Sequence, residues 1–179
     1  MFLRRFFSSS PTAGIAREIY SVIVAKARQP YFYADLRVPD TVEGRFDMIA
    51  LHAILVMNRL ATGNAPAKVL SQKIFDEMFS DMDRALREMG AGDLSVGKKV
   101  RRMAEVFYGR AKAYRDALGQ GDLPGLEQAL ARTIDPDGAE PGNLARLARY
   151  AAASSLALAG QSDVDVLAGR IYFPEPEKC

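Results

Sequence analysis

The sequence has almost no cysteine or histidine. Its 179 residues contain one cysteine, the C-terminal Cys179, and one histidine, His52. A lone cysteine cannot form an internal disulfide, so we expect an ordinary hydrophobic core and a reducing compartment. The same scarcity argues against most metal sites, Cys–His dyads and catalytic triads. Composition therefore disfavours the common enzyme classes.

Long hydrophobic runs are also missing. No apolar stretch reaches the ~18 residues that a membrane-spanning helix needs. The best candidate, residues 48–61, is interrupted by His52, Asn58 and Arg59. The chain start is basic, aromatic and free of acidic residues, and we interpret residues 1–11 as a flexible basic tail. A membrane-surface anchor and a remnant of an organelle presequence are the alternatives.

Neither sign of charge is in large excess. The chain has 24 Lys and Arg against 22 Asp and Glu, which gives a net charge of +2. This balance argues against DNA binding and against a surface coated with nucleic acid. Locally the balance breaks, because residues 95–118 hold seven cations and two anions whereas residues 119–140 hold one and five. We therefore expect patches of opposite charge on one small domain.

Apolar residues recur at helical spacing along most of the chain, and no stretch alternates long enough to require a sheet. This pattern predicts a single all-α domain over residues 12–179, a bundle of about six to seven helices. Residues 28–39 are expected to form a connector. The predicted helices span residues 12–27, 40–60, 67–89, 95–118, 123–133 and 143–158, with one further turn near 162–168.

The helix near residues 40–60 is expected to be the centre of the bundle. It begins at a capping box formed by Asp40 and Glu43. It is apolar on two sides, and such a helix must be covered on both. One stripe contains Val42, Phe46, Ile49, Ala53, Val56 and Leu60, and the other contains Met48, Leu51 and Leu55.

Three polar residues recur every seven positions along this helix: Arg45, His52 and Arg59. They share a seam between the two apolar stripes. One interpretation is a structural seam at the core edge, where the arginines extend to solvent and the imidazole bonds to backbone. The other is a clamp for an anion or a partner loop, with a pH-sensitive member.

Four cations lie in the first two turns of the helix predicted at 95–118. A helix N-terminus prefers negative charge, so Lys98, Lys99, Arg101 and Arg102 gain little for the fold there. They form either an ordinary solvated face or a docking site for something negative. The short link Gly90–Gly92 brings the end of the preceding helix beside them. The predicted partner-binding surface, which we call the basic corner, comprises Arg84, Arg87, Glu88, Asp93, Lys98, Lys99, Arg101 and Arg102.

Catalytic patterns are missing. Carboxylate-bridged metals in helical bundles use Glu-x-x-His pairs, but Ile49 and Met48 stand three and four residues before His52. There is no Gly-x-Ser-x-Gly elbow. Acidic residues of the third predicted helix have cations at helical spacing, which favours a salt-bridged surface. These expected pairs are Lys73 with Asp76, Asp83 with Arg87, and Arg84 with Glu88. We therefore predict no catalytic residues, no metal site and no cofactor.

Several motifs resemble one known family. They are Val38-Pro-Asp-Thr41, Gly44-Arg-Phe46, Leu51-His52, Arg59-Leu60, Ser71-Gln72, the long run from Asp81 to Lys98, Met103, Phe107-Tyr-Gly-Arg110 and Tyr114. Together they resemble the ubiquinol–cytochrome c chaperone domain over roughly residues 30–173. The chain looks like the short alphaproteobacterial form, which has no long N-terminal extension before the shared domain.

The resemblance implies an assembly chaperone of respiratory complex III that binds newly made cytochrome b or another subunit. Mitochondrial relatives also work at the ribosome with a small partner protein. The implied location is the cytoplasm, with peripheral contact at the inner membrane, or the mitochondrial matrix in a eukaryote. Two alternatives stay open: a small-molecule enzyme or cofactor carrier using Arg45, His52 and Arg59, and an RNA- or ribosome-binding module using the cations from Lys98 to Arg102.

Overall fold

The described residues of the computed structural model, 11–90, 92–134 and 142–179, form helices joined by short links, and no strand occurs among them. This confirms the all-α prediction. The helices are α1 Pro11–Ala27, α2 Pro30–Ala34, α3 Val42–Ala61, α4 Ala65–Glu88, α5 Asp93–Gln120, α6 Leu123–Ile134, α7 Asn143–Ala159 and α8 Asp163–Leu167, followed by a 3-10 turn at Pro176–Lys178. Residues 1–10 of the predicted tail lie outside the described residues.

Helix α3 is the centre of the bundle, as its two apolar stripes predict. It contacts α1, α4, α5, α6 and α7. Residues 46–56 are all buried, including Phe46 at 8% exposure and Leu51 at 0%. Val42 departs from the prediction, since it is 55% exposed at the start of the helix. The buried stripe therefore begins one turn later than its apolar pattern suggests.

The N-terminus of α3 is capped by Thr41 and not by the predicted Asp40. The Thr41 hydroxyl accepts a hydrogen bond of 3.1 Å from the Gly44 amide, whereas Asp40 accepts one of 2.6 Å from Arg45 Nε. The preceding chain folds tightly against the first turn. A Cβ atom at Gly44 would lie 2.0 Å from the Pro39 carbonyl oxygen, so this close approach requires glycine.

The predicted connector at 28–39 contains the short helix α2. Pro30 occupies its first position, where a missing amide proton costs nothing. The turn buries Phe32 completely, against the rings of His52 and Tyr150. The connector therefore contributes to the core.

The link between α4 and α5 is short. Its first glycine has the predicted conformation, but the N-cap of α5 is not the predicted residue. Gly90 has φ of +83°, the left-handed conformation expected after a helix end. Helix α5 starts at Asp93 with Gly92 as its N-cap, and Ser95, the predicted cap, lies inside the first turn. The Ser95 hydroxyl donates to the Gly92 carbonyl over 2.7 Å. At the other end, Gly121 adopts the left-handed conformation that ends α5, so the helix passes through Gly119.

Candidate functional site

An open groove of about 530 Å³ lies where α3, α4 and α5 meet. We call it the α3–α5 groove. Its apolar lining consists of Val42, Phe46, Met82, Ala85, Leu86, Met89, Met103 and Val106. Its polar lining consists of Glu43, Asp47, Lys99, Arg102, Arg110 and Thr133. Three of the seven methionines in the chain lie in this lining.

Several of the lining side chains are apolar and exposed. Val42, Met89 and Val106 are 55%, 54% and 40% exposed. Single exposed apolar residues are common on protein surfaces, but a cluster around a concave space is typical of a binding site. Methionine adds adaptability, because its unbranched side chain fits partners of different shape.

The polar end of the groove contains a buried ion pair between α3 and α5. Arg110 Nη1 donates to Asp47 Oδ1, and the two side chains are 13% and 9% exposed. Burial raises the pKa of the Asp47 carboxyl, and the Arg110 charge opposes this shift. Arg110 Nε is buried and has no hydrogen-bond partner among the described residues. The pair thus joins two helices while one guanidinium donor stays unused.

One edge of the groove carries part of the basic corner. Lys99 and Arg102 line the groove, and Lys98 and Arg101 are exposed on the same first turns of α5. Arg101 pairs with Glu105 over 3.3 Å. Within the described ranges, no ion pair holds Lys98, Lys99 or Arg102. These cations are available to a ligand.

Arg84, an α4 member of the basic corner, does not line the α3–α5 groove. Arg84 pairs with Asp81 instead of the expected Glu88, and it lines a separate cleft beside Tyr20 of α1. The reason is that the Asp81 carboxylate is fixed by a 2.9 Å hydrogen bond from the Tyr20 hydroxyl, within reach of Arg84.

The remaining α4 pairs match the expected salt-bridged surface. Arg87 Nε pairs with Asp83 over 2.6 Å, and Lys73 pairs with Asp76 over 3.6 Å. Glu88 is exposed at the end of α4. The side chain of Asp93 lies outside the described residues.

His52 is completely buried, with both ring nitrogens in hydrogen bonds. Nδ1 lies 2.7 Å from the Met48 carbonyl oxygen, which can only accept, so Nδ1 carries the proton. Nε2 lies 2.7 Å from the Tyr150 hydroxyl, which donates to it. The rings of Phe32 and Phe173 pack edge-on against the imidazole, with centroids 5.5 and 5.0 Å away. Burial lowers the pKa of His52 to about 4.

The arginines of the seam have separate partners. Arg45 pairs with Asp40 at the surface. Arg59 donates to the carbonyl oxygens of Leu158 and Gln161, at 3.0 and 2.8 Å, and to the Asp163 carboxylate at 2.5 Å. Arg59 therefore joins α3 to the turn between α7 and α8. The three side chains do not converge on one space.

The buried imidazole predicts a pH-dependent stability. In the unfolded chain His52 takes up a proton near pH 6.5, and in the folded protein only near pH 4. The contribution of His52 to the free energy of unfolding should therefore be constant above about pH 6.5. Between about pH 6.5 and pH 4 it should fall by ~1.4 kcal/mol per pH unit. Between pH 6 and 4.5 we expect a loss of ~2 kcal/mol.

Urea unfolding at several pH values measures this loss, and His52→Gln is the control. His52 is the only histidine, so the wild type minus the variant isolates its titration from that of the carboxylates. A difference that does not change with pH would mean that His52 is protonated alike in the folded and unfolded chains.

Comparison with known proteins shows the family of this chain. The sequence model of the Ubiquinol-cytochrome C chaperone family matches residues 34–173. The chain belongs to this family. Every residue of the α3–α5 groove falls inside the matched range. The ubiquinol–cytochrome c chaperone resemblance of the sequence motifs is therefore confirmed.

Two relatives support the assignment of this chain to the chaperone family. It is similar to the protein in the crystal structure of the Cbp3 homolog from Brucella abortus, with a TM-score of 0.86 and 39% identity over 93% of this chain and 92% of that one. It is also 24% identical over 119 residues to ubiquinol-cytochrome-c reductase complex assembly factor 1 from Xenopus laevis. That match covers 66% of this chain and 59% of the Xenopus protein, so the chain spans about three fifths of this curated relative.

Within the chaperone domain, the charge pattern of the sequence predicts Lys99 and Arg102 as partner-binding residues but does not predict the groove beside them. Met82, Met89 and Val106 have no unusual spacing, and their exposure depends on how α4 meets α5. The sequence pointed to Arg110 only through the family motif Phe107-Tyr-Gly-Arg110, of which it is the last residue.

Among the described residues, no group of His, Cys, Asp or Glu could hold a metal ion, and no helix there is long and apolar enough to cross a bilayer.

Proposed function

We propose that this protein is an assembly chaperone of ubiquinol–cytochrome c reductase, respiratory complex III, and that its client is newly made cytochrome b. The observation that carries the proposal is the family match over residues 34–173. The name of the Xenopus relative, a complex assembly factor, supports the same process. The proposed role is binding, without catalysis and without a cofactor.

The α3–α5 groove suits this role. A chaperone for an unfinished membrane protein needs an apolar surface to cover apolar segments and a polar edge to orient them. The methionine-containing lining provides the first, and Lys99 and Arg102 provide the second. Because cytochrome b is a membrane protein, we place this work at the inner membrane surface on the side of the reducing compartment, by peripheral contact.

Deletion of the gene tests the proposal. We expect cytochrome b and assembled complex III to fall, while soluble dehydrogenase activities stay at the level of the parent strain. Immunoblots of cytochrome b and ubiquinol–cytochrome c reductase activity of isolated membranes measure the outcome. Complementation by the wild-type gene is the control. Normal complex III in the deletion strain would refute the assembly role.

A charge-removing variant tests the cations of α5. Changing Lys98, Lys99, Arg101 and Arg102 to Gln should leave the melting temperature level or slightly higher, because each exposed cation near a helix N-terminus costs ~0.3–1 kcal/mol. The same change should weaken capture of cytochrome b in a pull-down. Wild-type capture should also fall with added salt, since rim charges act through a screened attraction.

The matched control removes four exposed cations elsewhere: Arg17, Lys68, Arg132 and Arg149, each changed to Gln. It has the same net charge as the test variant and should capture cytochrome b like the wild type. If the test variant melts several degrees lower and binds normally, the cluster is structural. Loss of RNA binding with intact cytochrome b capture would assign the cluster to the ribosome-binding alternative.

A further inference from the structure

The shape of the α3–α5 groove matches one class of ligand. Its α4 wall presents Met82, Leu86 and Met89, and its α5 wall presents Lys99, Met103 and Val106. In each wall the first and last residues are seven positions apart, which is two helical turns or about 10 Å along the axis. A groove between two helices, lined over two turns by adaptable apolar side chains, fits the apolar face of a third helix.

The charges around the groove are asymmetric. Lys99 and Arg102 line it from α5 and have no ion-pair partner among the described residues, whereas Glu43 lines it from α3. A ligand helix whose carboxylates face α5 would meet these cations, whereas carboxylates that face α3 would meet the like charge of Glu43. Charge complementarity therefore selects both the ligand and its orientation.

The unused donor of Arg110 points to the same ligand chemistry. Its Nε is buried without a hydrogen-bond partner in the described part of the chain, and the residue lines the polar end of the groove. An unpaired buried donor is unfavourable, so a ligand acceptor that reaches Nε after a shift of the Arg110 side chain would be stabilising. A carboxylate or carbonyl oxygen is such an acceptor.

We propose that the α3–α5 groove binds an amphipathic helix of a partner protein that has an acidic edge. The apolar face of that helix covers the methionines and the exposed valines, and its acidic edge lies along Lys99 and Arg102. RNA would meet the cations but leave the apolar lining uncovered. The inference deepens the proposed function by giving the chemistry of the client segment, and it is tested apart from it.

The test uses the full chain and synthetic fluorescent peptides of about 14 residues. All peptides carry leucines at positions i, i+3, i+4 and i+7, and the residues on one edge are Glu, Gln or Lys. Fluorescence anisotropy at low salt should show the Glu peptide binding at least about tenfold tighter than the Lys peptide, with the Gln peptide between them. K99E/R102E should reverse the order of the Glu and Lys peptides.

The apolar lining is tested by M89Q/V106Q, which changes two exposed side chains and should leave the melting temperature unchanged. It should weaken all three peptides, whereas the control V69Q/L156Q, at two other exposed apolar positions away from the groove, should not. Equal affinity of the Glu and Lys peptides, or unchanged binding by M89Q/V106Q, overturns the proposal. The proposal is also overturned if anionic vesicles or RNA bind through the residues tested here and the Glu peptide does not displace them.

The two proposals can fail separately. Peptide selectivity together with normal complex III in the deletion strain supports the groove ligand and refutes the assembly role. Loss of complex III in the deletion strain without any peptide selectivity refutes the groove ligand alone.

Discussion

Replacing Phe46 with alanine is expected to lower the free energy of unfolding by ~3–5 kcal/mol. Phe46 is 8% exposed and belongs to the hydrophobic core, so truncation removes buried apolar surface and deepens the α3–α5 groove into the core. The neighbouring chain can collapse little, because α3 is packed by five other helices. Chemical denaturation with a fixed m-value measures the change.

Val42→Ala is the matched control. Val42 lies one turn earlier on the same helix and lines the same groove, but it is 55% exposed. Its truncation should change stability by less than ~0.5 kcal/mol. Similar losses for both variants would contradict the described start of the buried stripe. A loss below ~1 kcal/mol for Phe46→Ala would contradict the central position of α3.

Breaking the ion pair between α3 and α5 is the second large effect. Arg110→Met should cost ~3 kcal/mol, because it leaves the Asp47 carboxylate buried without its partner. The double variant D47L/R110M should recover most of this loss, since two apolar residues need no compensating charge. Arg101→Met is the control: Arg101 and Glu105 are 84% and 66% exposed, so its loss should stay below ~1 kcal/mol.

The pH dependence of the Arg110→Met loss gives a second readout. Burial already raises the pKa of Asp47, and removing the guanidinium should raise it further. A carboxyl whose folded pKa lies above its unfolded value destabilises the protein at neutral pH and less at acidic pH. The cost of Arg110→Met should therefore be smaller at pH 5 than at pH 8. A cost that is independent of pH would indicate lost packing and not an unpaired charge.

Part of the candidate site was predictable because it depends on local chemistry. The mismatch between Lys99, Arg102 and the helix dipole can be read along one helix. The Asp47–Arg110 pair cannot, because its members lie 63 residues apart and each also fits a solvated position. The same holds for His52, whose partner Tyr150 is 98 residues away. The spacing of His52 in the sequence was compatible with a functional role, but the fold buries its imidazole among the rings of Phe32, Tyr150 and Phe173.

The sequence by itself determined the long helices and the central place of α3, because an apolar period of 3.6 residues and a two-sided helix are properties of neighbouring positions. Only the tertiary structure decided which apolar residues stay uncovered. Val42, Met89 and Val106 resemble core residues in the sequence, yet they face an open groove. The physical reason is that burial depends on how whole helices pack, and packing sums many long-range contacts that no local pattern contains.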